Sequence, residues 1–231
     1  MERALCGGTL REDAHMEFDL RAMDARDRYK LLVGVVVPRP IALVTTVDAE
    51  GRVNAAPFSF FNAMGSDPPI VVLGIGDRPG GGPKDSARNI RATGEFVVNL
   101  VDETLAERMN VCAVDFPAGT DELKCAGLTC LAQSRWRTPR IAESRVGMFC
   151  REIQTVEIGR SRVVMGEVLT MYVGDEFVDP ERLHVRAEEL GLIGRMHGAG
   201  WYVRTTDLFQ MPRLTVAEWE AKSGGGAGER P

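Results

Sequence analysis

Short apolar stretches, rich in β-branched residues and separated by turn residues, recur along this chain and indicate strands. Residues 41–47 and 52–58 flank the turn sequence 48–51 and predict a hairpin. Residues 146–158 and 162–173, joined by a turn at 159–161, predict a second and longer hairpin. Residues 70–75 and 95–101 add two more strands, each bounded by Gly, Pro or Asp. Most of the regular structure is therefore expected to be β.

Two short helices are also predicted, because each has a recognisable first residue. Asp85 can cap a helix over residues 86–92, with Gly94 just past its end, and Asp102 can cap a helix over residues 103–111. Many strands, few helices and short turns favour an antiparallel β-barrel over a doubly wound α/β sheet. We therefore expect a mainly β fold.

The remaining pattern suggests one folded domain with polar ends. Residues 1–27 are expected to form a polar extension, residues 28–215 the folded unit, and residues 216–231 a flexible tail that contains the glycine-rich sequence 223–228. The apolar runs 31–38 and 70–75 are too short to cross a bilayer and suit buried strands. With a charged N-terminal segment that lacks a signal-peptide pattern, the chain is expected to be cytoplasmic.

Composition excludes some classes of function. The 231 residues carry a net charge of −5 and no basic cluster, so nucleic acid is not an expected partner. Five cysteines without a C-x-x-C pair, and only three histidines, indicate neither a disulfide framework nor a metal site. Buried free thiols are the simpler interpretation.

Three segments could carry chemistry, and each also has an ordinary structural explanation. Lys84 and Ser86 stand at a predicted helix start, where backbone N–H groups favour an anion such as phosphate, but a capped surface helix would look the same. Residues 56–62 place three aromatic rings beside Ser59 and Asn62, and Asn54 adds an amide on the same face. They could form a platform for a flat ring or only fill the core at a strand end.

The third segment, residues 191–202, combines glycines with Arg, His, Trp and Tyr and could wrap a ligand. His197 is its candidate catalytic residue, although a surface histidine is the alternative. Among the sequence motifs of other enzyme classes, the chain contains no nucleophile elbow, phosphate-binding Walker loop or complete dinucleotide fingerprint.

Six segments in order, residues 39–46, 54–62, 67–69, 84–90, 94–99 and 194–198, resemble the flavin reductase-like family, and the similarity extends over about 28–213. The resemblance implies an FMN-binding split β-barrel and a homodimer whose interface contributes to the flavin site. It places the FMN phosphate at Lys84, Asp85, Ser86 and Asn89, and the flavin ring at Ser59, Phe60, Phe61 and Asn62, with Thr45, Thr46 and Asn54 nearby. Ser86 stands where threonine is common, and His197 where many relatives carry glycine.

The resemblance implies an NAD(P)H-dependent FMN reductase, of the kind that serves as the reductase component of a two-component monooxygenase. The alternative is a flavoredoxin-type electron carrier, which exchanges electrons with an acceptor protein and does not turn over NADH or NADPH. A barrel that uses bound flavin on another small molecule is a third option. All three need the same flavin site, so the sequence leaves them open.

Overall fold

A computed structural model describes residues 15–78, 80–117 and 119–224. Its main feature is a seven-stranded, wholly antiparallel sheet with the strand order β3-β2-β6-β9-β10-β5-β4. The strands are β2 (Ala42–Val47), β3 (Val53–Phe58), β4 (Phe61–Ser66), β5 (Pro69–Gly76), β6 (Glu95–Leu100), β9 (Val146–Ile158) and β10 (Ser161–Val173). The mainly β, antiparallel barrel predicted from the sequence is confirmed.

Smaller elements surround this sheet. Three small sheets comprise β1 (Arg39–Pro40) with β13 (Ile193–Arg195) and β14 (Tyr202–Arg204), β7 (Cys130–Gln133) with β8 (Trp136–Ile141), and β11 (Val178–Asp179) with β12 (His184–Val185). The α-helices are α1 (Ala25–Val35), α2 (Asp85–Thr93), α3 (Ala106–Val111), α4 (Glu122–Cys125) and α5 (Val216–Gly224). Within the described residues, single-turn 3-10 helices span Glu103–Leu105 and Asp175–Phe177.

The sheet curls, so strands far apart in its order share one core. Phe58 of β3, at one end of the strand order, and Leu73 of β5, near the other end, pack in the same cluster. Ala87 and Ile90 of α2 belong to this cluster too. Helix α2 therefore covers part of the barrel interior, and its first turn becomes a candidate binding site.

Strand β2 is buried on both faces because it lies between two cores. Ala42 and Val44 face the barrel interior, whereas Ile41 and Leu43 pack against α3, α4 and β13. On the second face, the Asn99 side chain of β6 links β2 to β8. Its amide donates to the Leu43 carbonyl at 3.0 Å, and its oxygen accepts from the Ile141 N–H at 2.8 Å. The alternation of side chains along β2 decides which residues can reach α2.

Both predicted hairpins are present, with Gly51 and Gly159 in the left-handed conformation at their turns. Gly94 ends α2 with a φ of 70°, and Asp102 caps the Glu103–Leu105 turn through the Leu105 N–H, so those two signals were correct. Asp85 is not a cap: it is the first residue of α2, after Lys84 at the cap position.

Two segments differ from expectation. The run 31–38 is not a buried strand, because its first half ends α1, which Asp24 caps by accepting from the Asp27 N–H. Residues 216–224 form α5, where a flexible tail was predicted, since Thr215 caps that helix from within the polar sequence. Residues 1–14 and 225–231 lie outside the described residues, and so does Cys6. No described helix is long and apolar enough to cross a membrane.

Candidate functional site

A cluster of buried polar side chains joins α2 to the end of β2 and β3. Thr46 lies opposite Asn54 in the strand register. The Asn54 amide donates to the Ser86 hydroxyl at 3.1 Å, and the Asn89 amide donates to the Thr46 hydroxyl at 3.1 Å. Thr46, Ser86 and Asn89 are all buried, so these two bonds hold the first turn of α2 against the barrel.

The first turn of α2 has the properties of an anion site. Lys84, at the cap position, has an extended backbone and no side-chain oxygen that could bond the first backbone N–H groups. The Asp85 carboxylate pairs with Arg78 and Arg88, and these two arginines balance its negative charge. No described carboxylate lies within 4.0 Å of the Lys84 ammonium. Positive charge therefore remains available where the helix dipole is also positive.

A cleft of about 510 Å³ opens beside this turn. It is lined by Asn54, Ala56, Pro57, Phe58, Arg78, Lys84, Asp85, Ser86, Glu122 and the loop 112–116. We call it the α2 cleft. One wall is apolar strand β3 and another is the cationic start of α2, so the cleft could hold a molecule with an apolar part and an anionic end.

Two groups in the α2 cleft have shifted acidities. Burial raises the pKa of Glu122, whose carboxylate also accepts from the Ala55 N–H at 3.2 Å. Burial likewise raises the pKa of the Cys112 thiol to about 12. Cys112 is therefore not a thiolate nucleophile near neutral pH. Among the described residues, no group of three His, Cys, Asp or Glu side chains could hold a metal.

The aromatic segment after β3 lies in a different place. Ser59 and Phe60 form the bend between β3 and β4, and Phe61 and Asn62 open β4. Phe61 and Asn62 line a groove of about 360 Å³, which we call the apolar groove. Its other lining residues are Pro38, Arg39, Pro40, Ile41, Ala63, Val71, Leu100, Val101, Met148, Leu192, Ile193, Gly194 and Thr205. Almost all of the groove wall is hydrocarbon.

Arg39 connects three parts of this region. Its guanidinium donates to the carbonyls of Val33, in α1, and Val36, just after α1, at 2.9 and 2.6 Å, and to the Met196 carbonyl at 3.0 Å. The Ser59 hydroxyl accepts a longer bond of 3.4 Å from the same group. Arg39 is only 5% exposed, and desolvation lowers its pKa. The Ser59 bend and the loop that holds His197 are thereby held together.

His197 is exposed on the hairpin between β13 and β14. Its ring stacks on Trp201 with centroids 6.2 Å apart and an interplanar angle of 13°. The hairpin is bound to the barrel through the Met196 carbonyl, next to His197. This position would let an imidazole meet a ligand that approaches from solvent.

The residues proposed from the sequence thus fall into two groups and one outlier. Thr46, Asn54, Lys84, Asp85, Ser86 and Asn89 gather at the start of α2. Ser59, Phe60, Phe61, Asn62 and His197 belong to the region of the apolar groove and of Arg39. Thr45 points to the opposite face of β2 from Thr46, where its hydroxyl donates to the Pro139 carbonyl at 2.7 Å.

Sequence reasoning did not find three contributors to these sites. Arg39 and Arg78 were quoted only as parts of longer segments, and Glu122 was not considered. A charged Arg that leads into the run 40–47, which contains no other charged residue, was the available signal for Arg39. Nothing local marks Glu122, because α4 is brought to β3 by the tertiary fold.

A curled antiparallel sheet with few short helices is a split-barrel fold, which this chain shares with a flavin reductase from Shewanella frigidimarina at a TM-score of 0.75 and 21% identity, covering 87% of this chain and 100% of that one. The family model for the flavin reductase like domain matches residues 35–189, so this chain belongs to that family. The resemblance stated from the sequence is confirmed.

The most informative individual similarities extend over nearly the whole folded unit. An uncharacterized protein of Deinococcus radiodurans is 47% identical over 212 residues, which are 90% of this chain and 93% of that protein. Nitrilotriacetate monooxygenase component B from Bacillus cereus superposes with a TM-score of 0.81 at 29% identity, covering 86% of this chain and 100% of that one. The 2-nitrobenzoate 2-nitroreductase NbaA of Pseudomonas fluorescens gives 0.79 at 36%, covering 87% and 98%.

Proposed function

We propose that this chain is an NAD(P)H-dependent FMN reductase that works as a homodimer and supplies reduced flavin to an oxygenase. The observation that carries the proposal is the start of α2, where Lys84 lacks a carboxylate partner among the described residues and no side chain caps the first turn. In a barrel of the flavin reductase like family, such a site fits the phosphate of FMN.

The α2 cleft fits the phosphate end of FMN. Lys84 would give one charge-assisted contact, and the backbone N–H groups of the first turn would give others. Ser86 already accepts a bond from Asn54, which leaves its own hydroxyl proton to donate. Asp85, neutralised by two arginines, would position the turn and not touch the anion.

The bend at Ser59 and Phe60 fits the ring end. Strand β3 runs directly from the α2 cleft to this bend, so one continuous segment would contact both ends of the flavin. Phe60 and Phe61 offer apolar surface, and the polar groups of Ser59 and Asn62 can meet ring heteroatoms. Arg39 would fix Ser59 in place.

The protein would mainly bind and orient, because bound FMN supplies the hydride acceptor and the nicotinamide supplies the hydride. The barrel residues would hold the flavin ring against the incoming nicotinamide and keep water from the contact. His197 and Trp201, stacked and exposed, would contact the second substrate. Thr45 has no part in this scheme, since its hydroxyl bonds Pro139 on the far face of β2.

The similarity to a monooxygenase component B supports an oxygenase as the acceptor of reduced flavin. The test is a titration of purified protein with FMN, followed by addition of NADH or NADPH and measurement of absorbance at the nicotinamide band. Oxidation of NADH or NADPH that requires FMN supports the proposal. FMN binding without nicotinamide oxidation would instead indicate an electron carrier.

A second candidate is reduction of a nitroaromatic compound by the bound flavin. It is favoured by the 36% identity to the nitroreductase over 87% of this chain. The same assay distinguishes it: adding 2-nitrobenzoate under anaerobic conditions should accelerate nicotinamide oxidation and consume the nitro compound. If the rate of nicotinamide oxidation requires FMN but does not change when 2-nitrobenzoate is added, the reductase function is retained and nitroreduction is rejected.

A further inference from the structure

The segment after β14, residues 206–224, carries an unusual amount of exposed apolar surface. Leu208 is 64% exposed and Phe209 is 84% exposed, and four more large apolar side chains follow them: Met211, Leu214, Val216 and Trp219. We call this segment the C-terminal arm. Burying side chains of this size is strongly favourable, so a surface that covers them is expected.

The arm is not held to its own barrel. Thr205 still donates its N–H to the Leu192 carbonyl at 3.3 Å, but residues 206–214 make no hydrogen bond to the described part of the barrel. Each side chain of residues 206–222 is exposed. Six large apolar groups therefore extend from the barrel without a partner in the described part of the chain.

A complementary surface begins where the arm leaves the barrel. Thr205 lines the apolar groove, which ends at β4 on its other side. Strand β4 is the last strand of the seven-stranded sheet, pairs with β5 alone among the described strands, and exposes Met64 at its centre. Its free edge can take an extended segment in addition to apolar side chains.

The same surface continues onto α1. Tyr29 of α1 lies 6.3 Å from the Phe60 ring, and Leu32, Val35 and Val36 are exposed beside it. An apolar area of this extent on one side of a monomer is characteristic of a protein interface. The arm begins at Thr205, on the rim of the groove, and has no hydrogen bond to its own described barrel, so a two-fold axis can place each arm on the groove of the other copy in one isologous contact.

We infer that the C-terminal arm crosses to a second copy of this chain and covers the partner copy's apolar groove and β4 edge. The arm would then close the groove beside Phe61 and Asn62, so the flavin-ring end of each site would be incomplete without the other copy. This inference rests on the homodimer of the proposed function, but it specifies which segment is exchanged and which surface receives it.

The test compares the full-length chain with two variants by sedimentation and light scattering. Leu208→Asp with Phe209→Asp disables the arm, and Ala63→Glu disables the groove at β4. Each should raise the dimer dissociation constant at least about a hundredfold, since two large apolar contacts are lost in each protomer or a charge is forced into a dry interface. Leu183→Asp is the matched control, because Leu183 is 85% exposed on the turn before β12 and should leave the mass unchanged.

Mixing the arm variant with the groove variant decides where the arm binds. One intact arm and one intact groove then remain in a mixed pair, so dimers should reappear on mixing although neither variant dimerises alone. A monomeric wild-type chain would overturn the inference, and so would a dimer that survives both variants or fails to recover on mixing. Because mass is the readout, a failure here is distinct from a failure of FMN reduction, which is scored by nicotinamide absorbance.

Discussion

Lys84→Ala and Ser86→Ala test the anion site at α2 with different expected magnitudes. Lys84 has no carboxylate partner among the described residues, so its removal breaks no ion pair there. A charge-assisted contact to phosphate contributes about 1.5 to 3 kcal/mol. The Kd for FMN should therefore rise at least about tenfold in Lys84→Ala, measured by quenching of flavin fluorescence.

Ser86→Ala should weaken FMN binding less, by about 1 kcal/mol, because a neutral hydroxyl contact is lost. It also has a cost that Lys84→Ala does not share. Ser86 is 1% exposed and its hydroxyl accepts from the Asn54 amide, so alanine leaves that amide without its partner. Thermal unfolding of the flavin-free protein should therefore occur at a lower temperature in Ser86→Ala and be nearly unchanged in Lys84→Ala.

Riboflavin is the control ligand, since it lacks the phosphate, and Lys30→Ala is the control variant. Lys30 is an exposed lysine paired with Asp27 on α1, and its loss changes the net charge equally. Riboflavin binding should hardly change in Lys84→Ala, and FMN binding should hardly change in Lys30→Ala. Equal losses for FMN and riboflavin in Lys84→Ala would refute the phosphate assignment and leave α2 as a structural helix.

Three other substitutions test the physical arguments about the barrel, each by equilibrium unfolding. Because burial raises the pKa of Glu122, the folded state holds its proton more tightly, and unfolding free energy should fall as pH rises from its ordinary value of 4.5 through the raised pKa; Glu122→Gln should flatten that decline. Gly166→Ala should cost about 1 to 3 kcal/mol, because its Cβ would lie 2.4 Å from the Phe96 ring; no loss would mean that β10 can shift there. Asn99→Ala should cost about 1 to 3 kcal/mol by leaving the Ile141 N–H unpaired, and a neutral result would show that water replaces the amide.

The hairpins and turns were predictable because their signals are local. Residues 41–58 and 146–173 carry β-branched residues on both sides of a glycine turn, and the pairing follows from the turn. The left-handed residue that ends α2 was predictable for the same reason, because glycine takes that conformation without strain and Gly94 stands at the predicted end of the helix. Local signals of this kind do not depend on what packs against them.

Helix α1 was missed because its apolar run is not periodic. Residues 31–38 suggested a buried strand, yet only Val33 of the helix is buried, and Leu32 and Val35 face outward. Asp24 and Asp27 did form a readable helix start, with the Asp27 N–H bonded to the Asp24 side chain at 2.8 Å. Which apolar residues of α1 are buried depends on how the helix packs against the barrel, and the sequence of α1 alone does not determine that packing.

The site residues were harder to predict than the strands because neighbours in sequence separate in space. Thr45 and Thr46 lie on opposite faces of β2, so only Thr46 can meet Asn89. Glu122 reaches the α2 cleft from a helix far along the chain. The sequence could indicate which residue types suit a flavin site, but only the register of β2 and β3 determines which of these residues face α2.

The two ends of the proposed flavin site differ in what completes them. The start of α2 is built within one chain: Asn54, Ser86, Thr46 and Asn89 hold it by hydrogen bonds, and its cation is already in place. The groove beside Phe61 has hydrocarbon walls and an open strand edge, so it needs a covering segment. The affinity for the ring, measured with riboflavin, should therefore increase as dimers form. The phosphate contribution, measured as the ratio of the riboflavin Kd to the FMN Kd, should be independent of protein concentration. If the ratio of the riboflavin Kd to the FMN Kd changes with protein concentration, the second copy supports the phosphate end as well as the ring end.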